Sequence, residues 1–247
     1  MRQTMKNISD IILFIITTIL ALMASWTISE LFSISSIRSL IFTHVTLGGL
    51  AFFIGGITLF SKKGSRLHKL TGKIFYISMV VSVSITLVIS ILPNHVSTTM
   101  FHIGILSLYF LIGGRRRSIR FKNSNHRFYI DKLLAYTVVS VSLIIMSYSV
   151  VLDGNFHPLR TVFGTIGIVF GLLDLKLFKH PHNIKKKWLF LHLSKMLGGY
   201  TAAVTAFFVA QNILSGYFNW FLPTIIGLSY IAFWMLKLKT FKPALIS

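Results

Sequence analysis

The stretch HVTLGGLAFFIGGITLFSKKGSRLHKLTGKIFY, residues 44–76, decides the fold. An apolar run opens at His44, a short basic loop interrupts it, and His68 opens the next apolar run. A shift of 58 residues lays His44 on His102 and His68 on His126, and within each hairpin the two histidines are 24 residues apart. The same shift lays Ile54, Gly55 and Gly56 on Ile112, Gly113 and Gly114, and VVSVS at 80–84 on VVSVS at 138–142. The chain therefore reads as a two-helix hairpin written twice.

Working outward, the same texture covers the whole chain. Of its 247 residues 54% are hydrophobic, and the mean hydropathy is +0.75. Apolar runs near the ~20 residues that cross a hydrocarbon layer recur throughout. The reading is an all-α, polytopic membrane helical bundle of about eight transmembrane helices in a single domain covering 1–247. Spans are expected at 10–29, 39–60, 70–92, 98–114, 130–152, 159–177, 188–213 and 217–236. Repeat 1 covers about 39–92 and repeat 2 about 97–152, so the duplicated hairpin is spans 2–3 and 4–5. A divergent third hairpin at about 159–213 keeps Leu191, His192 and Tyr200 in register with Leu67, His68 and Tyr76, with Ile168 where an outer histidine would fall. No small-residue cleavage site follows the first apolar run, which is read as a retained anchor.

The net charge of +20 would suggest nucleic acid in a soluble chain. Its placement argues otherwise, because the basic residues fill alternate loops: Lys62 to Lys69, Arg115 to Arg127, Lys179 to Lys187 and Lys237 to Lys242. By the positive-inside rule those loops and both termini face the cytoplasm of a multi-pass plasma-membrane protein. Anionic lipid headgroups are then the partners of the charge, and nucleic acid is not. There are no cysteines, which excludes disulfides, thiolate metal sites, iron–sulfur clusters and covalent haem. No glycine-rich nucleotide fingerprint occurs, so flavin or nicotinamide would come from a partner.

With that topology His44 and His102 form an outer tier, and His68 and His126 an inner one. About 16 residues separate His44 from the inner end of its span, roughly 25 Å of helix rise. Two stacked haems fit that separation, and imidazoles on facing helices are ordinary axial ligands of non-covalent haem b. Gly55 and Gly113 leave the histidine-bearing face bare, either for a flat macrocycle or for close helix packing. Lys69 and Arg127, each following an inner histidine, are placed for haem propionates or another anion, or as interfacial anchors that snorkel to headgroups. Asp174 lies inside a span, where a charge is a functional candidate by default. Asp131 is placed to orient an inner imidazole or a metal-bound water.

The segment from His44 to Tyr76 resembles a family of bacterial multi-pass membrane proteins of unknown function, through its H-x3-G opening and its H-[KR]-x2-G-[KR]-x2-Y closing. The second hairpin departs from the pattern at Leu106 and Ile130. The four-histidine arrangement is also similar to the transmembrane dihaem b cytochromes that pass electrons from ascorbate or quinol. That likeness implies one or two haems, on His44 with His102 and on His68 with His126, and a quinone or redox protein as partner. Two other readings stay open: a haem-free transporter or structural module, and a metal-dependent membrane hydrolase using His68, His126 and His192 with Asp131 or Asp174.

Overall fold

The computed structural model describes residues 34–120, 128–152, 154–179 and 181–240. Those residues form seven helices and no strand: α1 (Ile34–Phe60), α2 (Arg66–Ile89), α3 (Thr98–Arg120), α4 (Tyr129–Val151), α5 (Pro158–Phe178), α6 (Pro181–Gln211) and α7 (Phe218–Thr240). They coincide with seven of the eight expected spans. The expected span at 10–29 lies outside the described residues. Five of the helices are long and apolar enough to cross a membrane: α1, α2, α4, α5 and, from Trp188, α6. In α3 the arginine run Arg115, Arg116 and Arg117 shortens the apolar part.

Side chains at the breaks set where the helices begin and end. Gly64 takes a φ of 78° in the tight connection after α1, a left-handed conformation that glycine adopts without the clash a Cβ would make. Ser65 then caps α2, its hydroxyl accepting from the His68 amide at 3.1 Å. Proline opens both α5 and α6, where its missing N–H is not needed. The α6–α7 turn is held by Asn219, which accepts from the Leu214 amide at 2.8 Å and donates to Asn212 Oδ1 at 3.0 Å.

Helices α3 and α6 form the centre. Helix α3 packs on α2, α4, α5 and α6, and α6 packs on α1, α3, α5 and α7. One apolar cluster joins Leu106, Tyr109, Phe110, Ala135, Phe163 and Leu191; a second joins Ala51, Phe75, Met79, Leu111 and Ala203. The outward faces are large and apolar instead of charged: Phe42 is 73% exposed and Ile144 65%. A surface of that kind is stable in hydrocarbon and not in water. Basic residues Lys62, Lys63, Arg115 and Arg116 gather at one end of the bundle, called the basic end below.

The two hairpins of the sequence repeat do not pack alike. Helices α1 and α2 form the most extensive pair in the bundle, whereas α4 packs more on α5 than on α3.

Candidate functional site

A cavity of about 390 Å3 lies among α1, α2, α3, α6 and α7, with α5 contributing part of the wall. The wall is chiefly apolar, with Phe110, Phe163 and Trp220 as its aromatic members. Small residues open it: a Cβ at Gly49 would meet nothing within 4 Å. Its size falls in the range of small-molecule sites.

His44 stands on that wall, held from behind by α2. Its Nδ1 lies 3.0 Å from Ser82 O, 2.9 Å from Ser82 Oγ and 3.1 Å from Thr86 Oγ1. The α1–α2 pairing thus holds the ring through Nδ1, and no described residue hydrogen-bonds Nε2.

Toward the basic end the cavity floor is formed by Phe110 and Gly198. Next to it lies a buried charged cluster. Lys195 of α6 is 1% exposed, and its Nζ lies 2.9 Å from Asp174 Oδ2 on α5. Tyr109 of α3 donates its hydroxyl to the same carboxylate oxygen at 2.6 Å. The ammonium also sits 3.4 Å from the Tyr109 ring centroid and 5.2 Å from that of Phe110, a cation–π contact. Its stem runs along two glycines of α3, since a Cβ at Gly114 would lie 3.1 Å from Lys195 Cβ and one at Gly113 4.0 Å from Cδ. The side chain therefore climbs from the level of Gly114 to that of Phe110, ending under the cavity floor.

The histidines expected in tiers are placed separately. His102 is fully buried and does not line the cavity; its Nε2 is 3.0 Å from Ser142 Oγ on α4. His68, at the start of α2, turns Nδ1 to Thr58 O at 3.2 Å and Ser61 Oγ at 3.3 Å. His192 turns Nδ1 to Gly114 O at 2.9 Å and lies within electrostatic reach of His68 and Lys63. The structure thus brings His68 toward His192, while His126 and Arg127 lie outside the described residues. Lys69 is exposed.

Packing is on view at three of the positions singled out in the sequence. The bare face at Gly55 is filled by the ring of Tyr200 from α6, 2.5 Å from where a Cβ would stand, and Gly113 and Gly114 carry the Lys195 stem. Of the two readings of these glycines, close helix packing is the one these contacts match. Asp131 is clamped by Arg116, Nε to Oδ1 and Nη2 to Oδ2 both at 3.0 Å. Asp174 is committed to Lys195 and Tyr109, and among the described residues no three His, Asp or Glu gather as metal ligands.

Lys195 and Tyr109 are functional candidates that the sequence reading passed over. The signal was there: Lys195 lies seven residues past Trp188, roughly 10 Å into an apolar stretch at ~1.5 Å per residue. Comparison with protein-family models, with curated proteins and with solved structures returned no match. The functional reading rests on the chain's own geometry.

Proposed function

We propose that this chain is a multi-pass membrane carrier that holds a lipophilic small molecule in its central cavity, with the Lys195–Asp174 pair as the charge-bearing element coupled to occupancy. Its orientation follows the basic loops, with the basic end and both termini cytoplasmic. One observation carries the reading: a buried ion pair, hydrogen-bonded to Tyr109, lies against Phe110 of the cavity wall. Taking two charges into an apolar interior costs several kcal/mol per ion before their attraction offsets it, and apolar replacements are often as stable. Such a pair within a span marks a transport or proton-relay element by default. A proton on Asp174 would remove the attraction for Lys195 and free the Phe110 floor above it.

The test uses Gly49→Phe, whose ring grows into open cavity space. Purified from native membranes and extracted with organic solvent, the unaltered protein should yield a stoichiometric lipophilic compound by mass spectrometry, and Gly49→Phe should lack it. Recovery of bulk lipid alone from both would sink the reading.

A second reading, haem b or metal ligation with electron transfer, is favoured by the imidazoles themselves. His44, His68 and His192 each turn Nδ1 to a backbone carbonyl, the arrangement in which Nε2 is free to ligate. A reduced-minus-oxidised spectrum of protein expressed with haem supplied tests it; absence of an α-band excludes haem, and metal analysis tests zinc.

A further inference from the structure

We infer that the cavity takes a lipophilic molecule bearing a hydroxyl, of the phenol or hydroquinone class, whose O–H donates to His44 Nε2. This rests on the cavity being a ligand site, as proposed above, and adds what the site selects.

The argument is a count of protons. A carbonyl oxygen only accepts, so the 3.0 Å contact with Ser82 O places the proton on His44 Nδ1. The neighbouring hydroxyls agree. Ser82 Oγ donates to His44 O at 3.0 Å, and Thr86 Oγ1 donates to Ser82 O at 3.2 Å. Each hydroxyl has one proton, and both are committed. With its one ring proton on Nδ1, a neutral imidazole carries its lone pair on Nε2, and no described residue hydrogen-bonds that atom. His44 lines the cavity, and the atom it has to offer there is an acceptor.

An acceptor in an apolar wall discriminates. A bound molecule that displaces water from Nε2 without offering a proton leaves a desolvated lone pair, whereas a hydroxyl satisfies it. Quinone carbonyls and ethers present only acceptors of their own. The rest of the wall suits a flat ring: Gly48 lies one turn beyond His44 on the same helix face, and Phe110, Phe163 and Trp220 supply aromatic contact.

Equilibrium dialysis on the full chain in lipid nanodiscs, with empty nanodiscs subtracted, tests this using 2-naphthol, 2-methoxynaphthalene and naphthalene. The expected result is about tenfold tighter binding of naphthol than of its methyl ether, a difference corresponding to one hydrogen bond. In His44→Phe that preference disappears while naphthalene binding persists. Equal affinity for naphthol and the ether in the unaltered protein, or a preference surviving in His44→Phe, overturns the inference and leaves the carrier reading standing. Binding of none of the three overturns both. If His44→Phe does not fold, 15N NMR of histidine-labelled protein serves instead: the His44 Nε2 resonance should sit in the unprotonated range and move upfield with naphthol. A protonated Nε2 overturns the inference.

Discussion

The Lys195 ammonium and the Asp174 carboxylate, carried by adjacent helices, meet at 2.9 Å in a place where Lys195 is 1% exposed. The pair is held by geometry on a third helix, where Tyr109 donates to Asp174 and the Gly113–Gly114 backbone bears the lysine stem. Three helices are thereby pinned at one level. Removing one charge strands the other, while removing both leaves only volume to fill. Lys195→Met and Asp174→Leu should each destabilise by about 3–5 kcal/mol, and the double variant should recover most of that loss. Thermal unfolding in detergent measures all three, and additive losses would show that the pair is not coupled.

Tyr109 contributes through one hydrogen bond to a charged acceptor. Tyr109→Phe keeps the ring under the ammonium and removes the 2.6 Å bond. The expected loss is about 1.5–3 kcal/mol by the same unfolding measurement.

At the basic end, the Arg116–Asp131 clamp depends on the planar fork of the guanidinium. A lysine retains the charge and loses the second parallel bond. Arg116→Lys should therefore destabilise by about 1–2 kcal/mol, and Asp131→Asn by a similar amount. A neutral outcome for Arg116→Lys would mean that charge alone is what Asp131 requires.

Helices were legible because hydropathy reports length and burial directly, and the seven described helices lie where the apolar runs fall. The site was less so, for reasons visible in single residues. The VVSVS runs match letter for letter, yet His44 is bonded to Ser82, the third residue of its run, and His102 to Ser142, the fifth of its own. Two residues turn a helix by about 200°, so the corresponding serines face opposite ways: Ser84 and Ser140 are exposed where Ser142 and Ser82 are buried. A repeat in sequence fixes which residues recur and not how neighbouring helices rotate. Glycines mislead similarly, since a bare patch at Gly55 reads as space until Tyr200 from a distant helix occupies it. Asp174 was visible as a buried charge, but its partner lies 21 residues on, and spacing within one helix does not point there.

His102 supplies a prediction whose sign depends on which partner is removed. The ring is 0% exposed, its Nε2 meets Ser142 Oγ at 3.0 Å, and its Nδ1 has no hydrogen-bond partner among the described residues. Ser142→Ala leaves both ring nitrogens buried without a partner, which costs about 1–3 kcal/mol. His102→Leu with Ser142→Ala removes every unsatisfied atom at similar volume, so the double variant should be at least as stable as the unaltered protein. Thermal unfolding ranks them: Ser142→Ala lowest, the double variant highest. Recording the Soret region of the same samples separates packing from ligation. If His102 serves only the α3–α4 contact, the double variant keeps whatever absorbance the unaltered protein has. Loss of a haem band together with a gain in stability would instead assign His102 to a cofactor at the expense of packing.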